Sequence, residues 1–391
     1  MTPSITRREM LKTSAAATAP LLLHSQGASG APKAGVLETK VISRQPELYH
    51  GWPTIARRKC GQLLVVCSGG REAHVCPFGR VELMRSNDDG RTWGWPGVLL
   101  DTEIDDRDSG VLETAQGTIL VTTFTSLAYE DYELAKAEKI KPGEPGAWPP
   151  ERLARWRAAH NRLPADKRKE MLGEWMLRST DGGATWSAPY RCPVNSPHGP
   201  FELADGRLLY AGKELWHGER RIGVCMSEDD GQSWQWLATI PTREGDGPGN
   251  YHELHGVETA DGRLVVQIRN HNQQNSGETL QTESSDGGKT WSAPHAIGVW
   301  GLPSHLLRLK DNRLLMTYGH RRPPFGNQSR LSEDGGRTWS EPIILSGDGR
   351  DGDLGYPSTV QLRDGTLLSV WYEAMEGYRG AVLRQARWKL G

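Results

Sequence analysis

The sequence predicts an all-β fold, a six-bladed β-propeller of four-stranded antiparallel blades, and three observations predict it. A turn-like motif, S-x-D-x-G-x-[TS]-W, occurs five times: SNDDGRTW at Ser86, STDGGATW at Ser179, SEDDGQSW at Ser227, SSDGGKTW at Ser284 and SEDGGRTW at Ser332. A second repeat, strand–turn–strand, occurs six times; each copy alternates apolar residues with period two around a tight turn, as a hairpin does. The hairpins recur about every 55 residues, further apart where an insertion intervenes, and periods of this length mean propellers or arrays. Six hairpins, five of them followed by the motif, make six blades, and radial repetition protects the sheet edges.

The elements follow in order. Residues 1–31 read as a twin-arginine export signal. Arg7 and Arg8 precede an apolar stretch from Ala15 to Leu23, with cleavage expected between Ala28 and Ala31. That stretch is too short to span a bilayer, and nothing later looks transmembrane. The mature protein is therefore expected to be soluble and periplasmic or extracellular.

The propeller is expected over residues 36–391. Its hairpins are PTIARRKCGQLLVVCSGG, SGVLETAQGTILVTTFTS, GPFELADGRLLYAGKE, HGVETADGRLVVQIRNH, SHLLRLKDNRLLMTYGHR and PSTVQLRDGTLLSVWYE. An insertion, residues 127–175, interrupts blade two after its second strand. Leu153, Trp156, Leu163, Met171 and Leu172 recur at helical spacing, and Pro149 and Pro150 mark a helix start. The insertion reads as a helical lid or flank, or as decoration.

Composition narrows the function. Lys+Arg is 47 and Asp+Glu is 48, so the basic excess that nucleic acid requires is missing. Gly at 46 and Trp at 15, with Phe at 4, suit repeated turns and short strands. The five cysteines lack zinc or redox spacing. Cys60, Cys67 and Cys225 lie in apolar strand-like runs and read as buried free thiols. No metal or cofactor motif is present; SGDGRDGDLGYP, from Ser346, lacks the spacing and terminal glutamate of an EF-hand. It reads as a flexible glycine-rich loop delivering Tyr356. Oligomeric state is not legible.

The motif's own acids are structural. Asp88, Asp181, Asp229, Asp286 and Asp334 accept backbone N–H bonds inside their turns, and five copies around a ring cannot all face one ligand. Propellers bind ligands where their blades converge. In the sialidase superfamily, whose Asp box the five-fold motif resembles, the pocket is lined by the start of each first strand and the end of each second; the resemblance implies a site there. Counting eight residues back from each hairpin turn gives Trp52, Asp108, Pro197, Glu253, Pro303 and Tyr356. Second-strand ends supply Arg71, Lys213, Arg269, Arg321 or Arg322, and Glu373, with His50, His198, His252, His255, His305 and His320 alongside. Arg107 precedes Asp108 in DTEIDDRDSG. So polar a collection is costly at a dry axis and implies a wet, ligand-binding funnel.

The five-fold motif resembles the Asp box (BNR repeat) of the sialidase, or neuraminidase, superfamily. HELHGVETADGRLVVQIRN is similar to the segment carrying that family's site glutamate and second arginine, which implies those roles for Glu253 and Arg269. GYPSTVQLRDGTLLSVWYE is similar to the segment of the nucleophilic tyrosine, which implies Tyr356. The third arginine falls on Arg321 or Arg322. These types suit the chemistry. A neutral tyrosine, unlike a carboxylate, is not repelled by a substrate carboxylate, and an adjacent glutamate takes its proton. Arginines grip a carboxylate in bidentate fashion.

Blade one departs from the family. Its usual Arg-Ile-Pro reads GWP here, which puts Gly51 where the first arginine belongs, and the usual acid/base aspartate aligns near Pro77. Arg71 and Arg80 are available to replace the arginine, and Glu72, His74 or Asp108 the acid. The resemblance implies a glycan-binding exo-glycosidase, retaining, acting on a terminal sialic acid or related acidic sugar. Its catalytic candidates are Tyr356, Glu253, His74 and Asp108. Its substrate-binding candidates are Arg71, Arg107, Arg269, Arg321, Arg322, His50, His198 and His305. A glycosidase or lyase for another sugar, or a non-catalytic glycan-binding propeller, are the alternatives.

Overall fold

The computed structural model describes residues 32–391; the expected export signal lies outside them. The first strand, β1 (Ala34–Val41), stands apart from the hairpin that follows it. Blade one is β2 (Tyr49–Arg57), β3 (Leu63–Arg71), β4 (Arg80–Ser86) and β5 (Gly97–Leu100). Blade two is β6 (Asp105–Glu113), β7 (Ile119–Ser126), β8 (Glu174–Ser179) and β9 (Tyr190–Arg191). Blade three is β10 (Phe201–Glu202), β11 (Leu208–Lys213), β12 (Ile222–Ser227) and β13 (Gln235–Thr239). Blade four is β14 (Tyr251–Glu258), β15 (Leu264–Asn270), β16 (Glu278–Ser284) and β17 (His295–Trp300). Blade five is β18 (Ser304–Arg308), β19 (Leu314–His320), β20 (Gly326–Ser332) and β21 (Ile343–Ile344). Blade six is β22 (Leu354–Gln361), β23 (Leu367–Ala374), β24 (Ala381–Leu390) and, as its outer strand, β1. All pairings within the blades are antiparallel.

No box follows the sixth hairpin, and β24 pairs with β1. The fourth strand of this blade comes from the other terminus, with Ala34 opposite Leu390 and Val41 opposite Arg384. This pairing closes the ring between the first and last blades. Trp93 Nε1 adds a bond to Gln385 Oε1 (2.8 Å) across the same seam.

The core lies between blades because each sheet is covered on both faces. Leu64, Val66, Val81 and Leu83 of blade one, all buried, pack against Val111, Ile119, Val121 and Leu177 of blade two. Each such side chain contributes about 1.5–3 kcal/mol. The box turns sit at the periphery, between the third and fourth strands of their blades. In Asp181's turn, Thr185 Oγ1 (2.5 Å), Thr185 N and Ser179 Oγ (2.8 Å) all donate to the carboxylate and hold it well below the usual range. Trp93 and Trp291 are buried, while Trp186, Trp234 and Trp339 are half-buried. Trp339 reaches Gln281 of the preceding blade, as the box's packing role requires.

The insertion leaves after β7 and returns at β8. It forms a π-helical turn, Glu130–Leu134, then α1 (Ala135–Lys139), α2 (Pro150–His160, with Pro150 in the first turn) and α3 (Ala165–Glu170). Among the described residues no helix is long and apolar enough to cross a membrane. All five cysteines are free. Cys67 and Cys225 are buried as expected, but Cys60 is exposed, because it falls on the β2–β3 turn rather than inside a strand.

Candidate active site

A bulge in the inner strand aims the central residues. The β2, β6, β14 and β22 ladders each shift register at or beside Trp52, Asp108, Glu253 and Tyr356. These four residues have φ of 53°, 37°, 44° and 52°. A left-handed conformation costs an L-residue about 1–2 kcal/mol, and such strain persists where the surroundings over-determine it, often at functional sites. Blades three and five carry Pro197 and Pro303 at the same place. Proline's ring locks φ negative, so these two blades cannot present a side chain in this way.

The bulges of blades four and six bring their residues together. Tyr356 Oη donates to Glu253 Oε1 at 2.5 Å. Arg269 Nη1 donates to Glu253 Oε2 (2.5 Å) and to Tyr356 Oη (3.0 Å). Burial pushes Glu253's pKa up, but Arg269, the Tyr356 hydroxyl and Arg321 outweigh it and bring it to about 2. Burial, and then the Glu253 charge, raise Tyr356 well above its ordinary value. The resting pair is therefore a carboxylate and a neutral phenol.

These residues line a cleft of about 550 Å³ together with Arg321, Arg107, Asp108 and His74. Arg321 is held by Leu354 O (2.9 Å), with its guanidinium 5.6 Å from the Tyr356 ring centroid. Arg107 stacks over Trp52 at 4.1 Å and donates to His74 O (3.1 Å). Asp108 is buried and its Oδ1 has no partner. Burial raises its pKa, Arg107 opposes this, and the Glu253 charge adds to it, giving about 7.

His74 stands at the mouth with its side chain 47% exposed. Its Nδ1 meets Asp353 Oδ1 (3.0 Å) and Tyr49 Oη (2.8 Å), and Tyr49 Oη donates to Asp353 Oδ1 (2.9 Å). Burial lowers His74's pKa and Asp353 works against that. The Asp353 and Tyr49 partners escape sequence reasoning. Asp353 is one of several acids in a glycine-rich loop, and no periodicity singles it out. That loop is tied down rather than loose: Gly349 N bonds Phe325 O, Arg350 N bonds Ala374 O and Ala374 N bonds Asp353 O.

Other expected residues lie elsewhere. Arg71 is fully buried and its guanidinium is occupied by Asp105 (2.6 and 2.9 Å), so it sits beneath the cleft and does not line it. The end of a second strand does not determine which way its arginine turns, and the Asp105 carboxylate draws this one inward. Arg80 likewise pairs with Glu82 (2.7 Å). Arg322 stacks over Trp300 (4.1 Å), away from the cleft, which leaves Arg321 as the third arginine at the site. His50 is buried in blade one, 3.7 Å from Glu82. Glu72 is bound by Arg155 and Trp156 of the insertion. His198 and His305 do not line the cleft. With His255 they form a buried trio, His255 and His305 stacked at 4.5 Å and His198 6.5 Å from the Tyr356 ring. Burial keeps all three neutral, with His198 near 3. Among the described residues no group of histidines, cysteines and acids is arranged to hold a metal ion.

Comparison with known proteins agrees with the architecture. No curated protein matches the sequence. A protein of unknown function from Dyadobacter fermentans is similar in structure (TM-score 0.73, 23% identity, 92% of this chain and 99% of that one). The NanB sialidase from Streptococcus pneumoniae is similar at TM-score 0.59 (15% identity, 90% and 70% of the two chains). So is the intramolecular trans-sialidase from Ruminococcus gnavus, at 0.56 (14% identity, 93% and 98%). At such identities the likeness is one of fold. Residues 159–368 match the family described as "BNR repeat-like domain". That segment is more than half of the sequence, and the chain, with the six-bladed propeller of the sialidases, belongs to this family.

Proposed function

We propose that the protein is a retaining exo-glycosidase that removes a terminal sialic acid or related acidic sugar from glycans. The observation that carries this reading is the Tyr356–Glu253 hydrogen bond of 2.5 Å, bridged by Arg269 inside the cleft. Tyr356 Oη attacks the anomeric carbon while its proton passes to Glu253. The bond from that carbon to the leaving oxygen breaks, and the oxygen takes a proton from His74. Water then attacks the glycosyl–tyrosine bond, with His74 as base and Glu253 returning the proton to the phenolate. Arg269, Arg321 and Arg107 are the available grips for the substrate carboxylate.

His74 suits the acid role by its place. It is half-exposed at the mouth, where a leaving group departs, and Asp353 orients the ring as a carboxylate orients a catalytic histidine elsewhere. Asp108 lies deeper. With a pKa of about 7 it is the alternative donor, since a carboxyl kept protonated near neutrality acts as an acid. The missing first arginine, Gly51, favours testing other sugars too. The Arg7–Arg8 pair supports action outside the cytoplasm.

Fluorogenic sialosides assayed beside neutral and uronic glycosides test the reading. Turnover of sialosides is expected. Turnover of another glycoside alone would replace the substrate, and binding without turnover would make this a glycan-binding propeller.

A further inference from the structure

The reaction above leaves the helical insertion unused, yet its first turn walls the cleft. Tyr132, Glu133 and Lys136 line the same space as His74 and Tyr356. Tyr132 and Glu133 lie in the π-helical turn, and Lys136 follows in α1. Such turns are rare and recur at functional sites. Tyr132 is 63% exposed, so its ring is open to a ligand in the cleft. Lys136 Nζ lies 5.5 Å from its ring centroid.

The rest of the insertion joins this turn to the loop that carries His74. Tyr129, Leu134 and Trp156 form one buried cluster with Val75 and Cys76. Glu72 accepts bonds from Arg155 Nε (2.7 Å) and Trp156 Nε1 (3.0 Å). This junction fixes the side of the cleft. His74 protonates the departing oxygen, so the leaving group lies beside the His74 loop. Glu253, Arg269, Arg321 and Tyr356 come instead from blades four to six.

We infer that Tyr132, Glu133 and Lys136 form a subsite for the first sugar of the leaving group, a neutral pyranose; this rests on the glycosidase reading. The apolar face of a pyranose stacks on an exposed aromatic ring, and its hydroxyls donate to the Glu133 carboxylate and accept from the Lys136 ammonium. The two charges cancel, so the subsite does not select for a charged sugar.

Two readouts on the full chain test this. In saturation-transfer NMR with lactose as probe, wild-type protein passes magnetisation to the sugar. Tyr132→Phe, which keeps the ring, does the same, and Tyr132→Ala does not. In kinetics, Tyr132→Ala lowers the ratio of kcat/KM for sialyllactose to kcat/KM for an aryl sialoside about ten-fold. Tyr132 is exposed, so the variant should fold. An unchanged ratio, or no transfer to lactose from the wild type, overturns the subsite. Transfer that depends on Tyr132 without turnover of any sialoside or other glycoside would instead overturn the glycosidase reading and leave a sugar-binding subsite standing.

Discussion

At the scale of single residues, the site works through opposed protonation states in one small space. Glu253 is held ionised by Arg269, Tyr356 is held neutral by burial, and His74 is braced by Asp353. If His74 is the acid, only its protonated form serves. Its pKa is lowered from 6.5 by burial, so kcat/KM falls as pH rises through a value below 6.5. Were Asp108 the acid, the fall would centre near 7. A pH profile of wild type, His74→Asn and Asp108→Asn separates the two. The basic limb should vanish in His74→Asn, and that variant should lose far more activity on poor leaving groups than on activated aryl glycosides. Retention of the limb in His74→Asn and its loss in Asp108→Asn would reassign the role. Glu253, Arg269 and Tyr356 were legible in the sequence because their segments resemble those of the sialidase site and because each sits at a regular place in its hairpin. Asp353 was not, because its partnership with His74 joins blade six to a loop of blade one. Arg71 was misplaced because sequence position shows that a strand ends, not which carboxylate waits beneath it.

At the scale of elements, the inner strands carry both the geometry and its cost. In β6, Asp106 and Asp108 are both buried, and burial lifts their pKa values to about 8 and about 7. A folded-state pKa above the unfolded value means stability present at low pH and lost as pH rises through the folded value. Urea unfolding should therefore show a lower midpoint at pH 9 than at pH 6. The difference should shrink in Asp108→Asn, whose amide does not ionise. A midpoint that rises with pH would contradict this burial account. The strand also explains its own glycine. A Cβ on Gly110 would meet the backbone N of Gly199 at 2.4 Å, so blade two approaches blade three closely just past Asp108. The hairpins themselves were readable from period-two alternation. The bulges were not, since they fall at the polar axial starts of the inner strands, ahead of the apolar run whose alternation they would interrupt.

At the scale of the whole molecule, the ring is closed by a strand from the far end of the chain. The six blades were legible in the hairpins, but the source of the last outer strand was not, because β1 carries mostly exposed residues and little apolar alternation of its own. Its contribution is backbone pairing along β24. Removing residues 34–41 leaves the β24 edge open. The deletion should lower the Tm by several degrees and promote association in size-exclusion chromatography. An unchanged Tm with a monodisperse profile would show that closure does not depend on β1. The insertion's helices were legible as helices, whereas their docking on the His74 loop is a tertiary fact.

The central claim is that Tyr356 is the nucleophile. Incubating the protein with 2,3-difluorosialic acid, then digesting it and analysing the peptides by mass spectrometry, tests this directly. The account predicts one covalent glycosyl adduct on the peptide containing Tyr356, absent in the Tyr356→Phe variant, which keeps the fold and loses turnover about a thousand-fold or more. An adduct on another residue, or wild-type sialoside turnover by Tyr356→Phe, would contradict it.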